Sequence, residues 1–422
     1  MNAPSAPSSL PPSVKSSLPG ERETIVMMAM LMALNAMAID TMLPALPAMA
    51  RDLDIAVANH RQYIIGIYLL GTAVGSLFYG PLADRFGRKP VLRCALLAYA
   101  ALALAGALVN DFGVMLALRL GHGLAGAALG VVVTAIIRDL FMGDAMARRM
   151  SSIMLVFMVV PVIAPAIGAG IIAVANWRAI FVVMALLGLV MLLWIRRLPE
   201  TLDPANVRLL DVRTMAAGWL AVTLHRRAAG YMLAAGLMQG ALYGYLNSSE
   251  QIIGEVFDAR ALFPLVFAAV AVGIAAANFS NSRIVERFGA RRVSHSALFA
   301  FLTFAVCQVA ASSSGRETLA LFTLLLAFNV GLIGFVGANF GAIAMEDFGK
   351  MAGVASSYQG FARGLIAALV GAGIGQQFDG TTMPLALSFT AAATIGILLV
   401  LWAERGRLFT RPGTAPKGPF VP

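Results

Sequence analysis

The stretch GPLADRFGRKP, residues 80–90, indicates the organisation of the whole chain, because a shortened copy of it occurs about 200 residues downstream. Residues 84–89 read DRFGRK, and residues 286–291 read ERFGAR. An acid, an arginine, a phenylalanine and a glycine recur in the same order, each time between two long apolar runs. A repeat of this kind predicts two related halves of similar structure.

The composition is typical of a chain that folds in lipid. Of its 422 residues, 59% are hydrophobic and only 12% are charged, whereas soluble domains carry about 25% charged residues. A helix that spans a bilayer needs about 20 mostly apolar residues. We therefore predict an all-α membrane protein of twelve transmembrane helices, arranged as two pseudo-symmetric six-helix bundles. The predicted spans lie near residues 24–48, 62–83, 90–109, 114–137, 150–174, 179–197, 229–249, 262–282, 293–313, 317–342, 352–376 and 383–404.

Basic residues are concentrated on alternate loops between these runs. Most of the 31 lysine and arginine residues fall on one side, and such residues gather on cytoplasmic loops. The pattern predicts that both termini are cytoplasmic. It also accounts for the net charge of +10 without a nucleic-acid partner, since nucleic-acid binding would require a basic face on a polar domain.

The same pattern divides the chain into five segments. Residues 1–23 form a Ser/Pro-rich leader that we predict to be disordered, with no signal-peptide pattern, and residues 24–197 form the N-terminal bundle. Residues 198–228 form a cytoplasmic linker that mixes apolar and charged residues, as a helix on a membrane surface does. Residues 229–405 form the C-terminal bundle, and residues 406–422 form a cytoplasmic tail.

The sequence lacks the patterns of metal, cofactor and enzyme chemistry. Cys94 and Cys307 lie in separate apolar runs without metal-ligand spacing. No phosphate-binding GxxxxGK[ST] motif occurs, which argues against ATP as the energy source. We find no nucleophile–base spacing either. We therefore predict no metal, no cofactor and no enzymatic activity.

Residues 80–90 resemble the signature loop of the major facilitator superfamily, G-x-x-x-D-R-x-G-R-[RK]. The resemblance implies two six-helix bundles that alternate in access to the two sides of the membrane. The loop would then form a charge latch that holds one access state, and the alternative is ordinary positive-inside charge on a short loop. The predicted latch residues are Gly80, Asp84, Arg85, Gly87, Arg88, Glu286 and Arg287.

The first span carries IDTMLPALP at residues 39–47, which resembles the bicyclomycin/chloramphenicol-resistance branch of drug:proton antiporters. Shorter matches to this branch occur at residues 138–141, 177–181, 198–202 and 351–357, so the resemblance extends over nearly the whole chain. It implies a bacterial inner-membrane protein that exports small molecules in exchange for protons.

Asp40 is the predicted proton-coupling residue. A carboxyl group in the low dielectric of a span can be protonated near neutral pH, and a cationic or hydrogen-bonding substrate would compete with the proton for it. The alternative is an interfacial aspartate near the outer end of the first span.

Three further residues complete the predicted proton and substrate site. Arg119 and His122 lie in RLGHG, residues 119–123, which resembles the family's R-x-x-Q-G element with a histidine in place of glutamine. An arginine inside a span is costly and marks function by default, and His122 could titrate near neutral pH or be a packed polar residue. Arg363 lies within the eleventh span and matches an arginine of the same branch.

Residues 161–170 read PVIAPAIGAG and resemble the antiporter motif G-P-x-x-G-G, although alanines occur where two glycines are expected. Prolines bend a helix, and small residues let a neighbouring helix approach closely. The predicted motif residues are Pro161, Pro165, Gly168 and Gly170, and the alternative is ordinary helix packing.

Other polar residues at span depth are candidates for a cavity wall, because aromatic and amide groups suit a broad small-molecule pocket. Each of them could instead join two helices. They are Asn35, Tyr68, Tyr243, Asn247, Asn329, Asn339, Tyr358 and Gln359.

These features together predict a proton-coupled multidrug efflux transporter. Its partners would be protons, the lipid bilayer and small drug-like molecules, apolar or cationic and similar to phenicols or bicyclomycin, and we expect a monomer. A proton-coupled importer of a nutrient or organic acid is the main alternative, in which the arginines would bind a carboxylate. A non-transporting membrane scaffold or sensor is less favoured, since buried charges cost stability without a task.

Overall fold

The computed structural model describes residues 19–141, 143–207, 212–348 and 351–409, and within these ranges it contains helices and turns but no strand. The chain divides into two compact units. Unit 1 comprises residues 1–212 and 261–268, and unit 2 comprises residues 213–260 and 269–422. Most of the predicted leader and tail, and residues 208–211 of the predicted linker, lie outside the described residues, so their predicted roles stay predictions.

Unit 1 contains eight helices in the described part of the chain, and two of the predicted spans are each built from a pair of them. The helices are α1 (Glu21–Asp40), α2 (Leu46–Asp52), α3 (Tyr63–Phe86), α4 (Arg88–Leu108), α5 (Phe112–Leu140), α6 (Gly143–Phe157), α7 (Val160–Val174) and α8 (Arg178–Trp194).

The remaining helices follow in chain order and belong to unit 2, except for Val212 and residues 263–268. They are α9 (Val212–Leu224), α10 (Arg226–Gln251), α11 (Phe263–Phe288), α12 (Ala290–Ser313), α13 (Leu319–Met345), α14 (Ala352–Gln376) and α15 (Met383–Ala403). A π-helical turn, Ile252–Val256, extends α10.

The all-α membrane fold is confirmed. Within the described residues, ten helical segments are long and apolar enough to cross a membrane. The predicted spans 229–249 and 352–376 coincide with α10 and α14, which have 26 and 25 residues but carry more polar side chains, such as the run NSSEQ at the end of α10. The predicted count of twelve therefore depends on these two helices.

Prolines explain why two of the spans are broken. Pro44 has no N–H to donate to the carbonyl of Asp40, four residues earlier, and α1 ends at that residue. The chain passes through a short 3-10 turn and continues as α2 to Asp52. Pro161 likewise has no N–H for Phe157, where α6 ends. Both interruptions leave backbone carbonyls that need other donors.

Close helix pairs in both units depend on glycine. In unit 1, a Cβ atom on Gly71 would overlap the carbonyl oxygen of Leu120, and one on Gly123 would overlap that of Tyr68. In unit 2, a Cβ on Gly371 would overlap Tyr243, and one on Gly240 would lie 2.7 Å from Val370 Cβ. The small residues thus let α3 approach α5, and α10 approach α14, almost backbone to backbone.

The linker helix α9 packs against α14 within unit 2. Trp219 stacks on Tyr358 with ring centroids 6.1 Å apart, and Thr223 Oγ1 lies 2.7 Å from the Tyr358 hydroxyl. Leu220 and Leu224 are exposed on the same helix. The amphipathic linker and its location on a membrane surface stay predictions.

Replacing Gly123 by alanine should destabilise unit 1. The added methyl group meets a backbone carbonyl, which can move only with its helix, and overpacking of this kind costs about 1–3 kcal/mol. Gly130→Ala on the same helix is the matched control, because nothing lies within 4 Å of the added Cβ there. Thermal unfolding of the purified protein in detergent should show a lower midpoint for Gly123→Ala only. Equal midpoints for the two variants would contradict the packing.

Candidate functional site

Arg119 is the centre of a buried polar cluster in unit 1 and has 0% of its surface exposed. Its Nε donates to the carbonyl of Ile64 at 3.0 Å, and one terminal nitrogen donates to the carbonyl of Ala38 at 2.9 Å. The guanidinium also lies 4.3 Å above the ring of Tyr68. Within the described residues no carboxylate is close enough to form an ion pair with Arg119. Carbonyl dipoles and an aromatic face therefore compensate its charge.

The bond to Ala38 gives Arg119 a specific structural role. Ala38 belongs to the last turn of α1, whose carbonyls have no donor in a continuing helix. A cation at the C-terminal end of a helix is also favourable for the helix dipole. Arg119 therefore caps the broken first span from α5 and joins α5 to α1 and α3.

Aromatic and amide side chains surround this guanidinium. His122 Nδ1 lies 3.2 Å from the second terminal nitrogen of Arg119, and the His122 ring packs on Tyr99 with centroids 4.2 Å apart. The Tyr68 hydroxyl donates to Asn35 Oδ1 at 2.5 Å, and the Tyr99 hydroxyl donates to the Leu34 carbonyl at 2.9 Å. Two predicted cavity residues, Asn35 and Tyr68, thus belong to the same cluster as Arg119 and His122.

Asp40 lies at the end of α1, two residues after the carbonyl that Arg119 caps. It is buried, with 5% of its surface exposed, and it lies inside the helical segment Glu21–Asp52; its depth in the membrane stays a prediction. Among the residues that the structure describes, its carboxyl group forms no hydrogen bond or ion pair. An isolated carboxylate is costly to bury, so this position suits a group that exchanges a proton.

The predicted antiporter motif packs beside Asp40. A Cβ atom on Gly168 would overlap the carbonyl oxygen of Thr41 and would lie 3.1 Å from Pro44 Cγ. Pro161 occupies the first turn of α7 and Pro165 its interior, whereas a Cβ on Gly170 would meet open space. Gly168 therefore lets α7 contact the break in the first span directly after Asp40.

The turn between α3 and α4 holds the second group of predicted residues. Gly87 has a φ of +95°, which favours glycine. Arg88 forms ion pairs with Asp84 and, at 2.9 Å, with Asp139 at the end of α5. Arg85 is exposed, and Gly80 lies one turn before Asp84 in α3. The turn is thus fixed to α5 by charge.

Glu200 caps α4 from the segment after α8. Its two carboxylate oxygens accept hydrogen bonds from the backbone N–H groups of Arg88, at 2.9 Å, and Lys89, at 3.0 Å. A negative charge at a helix N-terminus is favourable, and those N–H groups have no partner within the helix. Asp139 and Glu200 were not predicted as site residues, although both lie in short matches to the resembled branch, residues 138–141 and 198–202.

Unit 2 forms an equivalent cluster with a different arginine. Arg291 donates to both carboxylate oxygens of Glu346, at 3.0 and 2.6 Å, and to Glu404 at 2.9 Å. Glu346 follows α13 and Glu404 follows α15. The predicted residues Glu286 and Arg287 are exposed on α11. The latch itself stays a prediction for both units.

The remaining predicted residues lie in unit 2 and mostly join pairs of helices. Tyr243 hydrogen-bonds Gln239 and lies near Arg363. Asn247 is buried, and neither polar atom of its side chain has a partner among the described residues. The other predicted residues bond to a neighbouring helix: Asn329 to Gln308, Asn339 to Asn281, Tyr358 to Thr223 and Gln359 to Gly341.

Comparison with known proteins assigns the family. The sequence profile of the Major Facilitator Superfamily matches residues 28–372. The chain belongs to the Major Facilitator Superfamily. This is a family of transporters rather than of enzymes.

Several relatives of the chain in this superfamily carry resistance names. The bicyclomycin resistance protein homolog of Haemophilus influenzae is 31% identical over 393 residues, which is 92% of this chain and 97% of the relative. The multidrug resistance protein MdtL of Escherichia coli O139:H28 is 27% identical over 378 residues, 87% of this chain and 92% of the relative. The human organic anion transporter MFSD10 shares the fold, with a TM-score of 0.62 and 20% identity over 91% of this chain and 100% of that one.

Removing the Glu200 cap should loosen the first turn of α4. In Glu200→Ala the backbone N–H groups of Arg88 and Lys89 lose their acceptor, which should lower the free energy of unfolding by about 1–3 kcal/mol. Hydrogen exchange at the start of α4 should accelerate, and the thermal unfolding midpoint should fall.

Asp203→Ala is the control for this experiment, since Asp203 lies in the same segment but bonds only the N–H of Ala205 in an exposed turn. Equal effects of the two substitutions would mean that Glu200 does not stabilise α4.

Proposed function

We propose that this member of the superfamily is a proton-coupled drug efflux transporter that works by alternating access. The observation that carries the proposal is the carboxyl group of Asp40, which is buried and has no hydrogen-bond or ion-pair partner among the described residues. A transporter that exchanges substrate for protons needs a group that both can reach in turn. Asp40 is that group in the proposed mechanism.

The surroundings of Asp40 support this role. Arg119 has its own acceptors in Ala38, Ile64 and His122, so it does not neutralise Asp40 permanently. Its positive charge is nevertheless fixed at the end of the same helix, where it favours release of the proton from Asp40 when the site opens to the cytoplasm. Gly168 keeps α7 in close contact with the backbone directly after Asp40.

The substrate class follows from the relatives. Their names refer to resistance to bicyclomycin and to multiple drugs, so we propose small, mostly apolar or cationic compounds similar to phenicols and bicyclomycin. We also propose a monomer in the bacterial inner membrane with both termini in the cytoplasm, in agreement with the distribution of basic residues.

The proton gradient is a sufficient energy source for such export. One charge that moves through about 100 mV releases about 2.3 kcal/mol. Since about 1.4 kcal/mol corresponds to a factor of ten, a single proton could sustain a substrate gradient of roughly fifty-fold.

Asp40→Asn should abolish proton-driven export. The amide has nearly the same shape but cannot exchange a proton in this pH range, so transport against an imposed pH gradient should fall by about tenfold or more. The assay uses purified protein in lipid vesicles, with a substrate identified by screening a pump-deficient host for sensitivity to phenicols, bicyclomycin-like compounds, fluoroquinolones and cationic dyes.

Asp54→Asn is the matched control, because Asp54 is exposed in the turn directly after α2 and undergoes the same chemical change. Proton-driven export by Asp40→Asn at the rate of this control would disprove the role of Asp40. Protons and substrate that move in the same direction would instead favour an importer.

A further inference from the structure

The position of His122 determines which of its ring nitrogens carries the proton. His122 lies one turn after Arg119 on α5 and is 1% exposed, and its Nδ1 is 3.2 Å from a terminal nitrogen of Arg119. A guanidinium has only donors and keeps its charge. Nδ1 must therefore be the acceptor of this bond, and the single proton of the neutral ring is on Nε2.

Binding of a second proton to the His122 ring would cost much free energy. It would place an N–H group of an imidazolium against an N–H group of Arg119, with two positive charges in a buried site. The other groups that face the ring are Tyr68 of α3 and Tyr99 of α4, with centroids 5.4 and 4.2 Å away. No carboxylate among the described residues bonds to the ring, so nothing there would compensate the added charge.

We propose that His122 is a positioning residue that stays neutral through the whole transport cycle and holds Arg119 in place with Nδ1. The proposal rests on the proposed function, in which Asp40 takes the proton. Arg119 uses two nitrogens on the carbonyls of Ile64 and Ala38, and His122 provides the acceptor for the third. Without this acceptor one terminal nitrogen of the buried guanidinium would have no partner, and the group would be free to turn away from the end of α1.

His122 therefore acts on Asp40 indirectly. It orients Arg119, Arg119 caps the last turn of α1, and that turn carries Asp40. This explains how a histidine can lie within a proton-coupled site and yet not carry the proton.

Two substitutions separate the positioning role from a proton-carrying role. In His122→Asn, Oδ1 lies the same number of bonds from Cα as Nδ1 does, so it can accept from Arg119, but the side chain cannot take up a proton. His122→Phe keeps a ring against Tyr99 and has no acceptor. We expect His122→Asn to export substrate within about threefold of the unaltered protein with the same pH profile, and His122→Phe to lose about tenfold or more.

Nitrogen-15 NMR of histidine-labelled protein in detergent tests the protonation state without any transport assay. The signal that disappears in His122→Asn should be that of a neutral ring protonated at Nε2 from about pH 5.5 to 8. His60, His225 and His295 provide reference signals in the same sample.

An imidazolium signal from His122 in this range would overturn the proposal, and so would loss of the pH dependence of transport in His122→Asn. If His122→Phe fails to fold, the asparagine variant and the NMR measurement still distinguish a neutral positioning residue from a proton carrier. If Asp40→Asn keeps proton-driven export while His122 stays neutral, the proposed function fails and the tautomer assignment stands.

Discussion

The structure of the candidate site depends on how the charge of Arg119 is compensated. Its guanidinium bonds to two backbone carbonyls and a histidine nitrogen instead of a carboxylate. If it paired with Asp40, the two charges would neutralise each other and the carboxylate would stay ionised. Because carbonyls and an aromatic face take that role, the buried positive charge is compensated without Asp40, which is the arrangement that the proposed function requires. The same bonds hold three helices together, so site and fold share one interaction.

The carbonyl that Arg119 caps is available because the first span is broken. Pro44 removes the donor that would have continued α1 past Asp40, and the last turn of the helix is left with acceptors to satisfy. Inside a membrane such groups must find partners within the protein. Thr41 Oγ1 takes the Met37 carbonyl at 2.6 Å, and Arg119 takes that of Ala38. The Ala38 carbonyl needs this donor because the N–H of Met42, four residues later, bonds the Ile39 carbonyl at 3.2 Å instead.

Sequence reasoning predicted the apolar helices and selected Arg119, Asp40 and Gly168, which the structure places close to one break in the first span, because hydropathy and the cost of buried charge are local properties. It did not predict which groups pair. The sequence separation of Arg119 and Asp40 does not determine whether the two side chains pair, because the relative depth of their spans depends on how the helices pack. The capping role of Glu200 was also missed, because this residue lies 112 residues along the chain from Arg88, whose N–H group donates to it.

The two halves retain the positions of two acids more strictly than the arginine that contacts them. In unit 1, Arg88 reaches Asp139 after the turn, and Glu200 caps the next helix. In unit 2 the position aligned with Arg88 is Ala290, and Arg291, one residue later, contacts Glu346 and Glu404. In each half one acid lies at the end of the fourth span, Asp139 or Glu346, and one follows the sixth span, Glu200 or Glu404. Arg88 bonds Asp139 with its side chain and Glu200 with its backbone N–H, whereas Arg291 bonds both Glu346 and Glu404 with its side chain. The acids therefore determine where the cluster forms, and the short sequence repeat locates it only to within one residue.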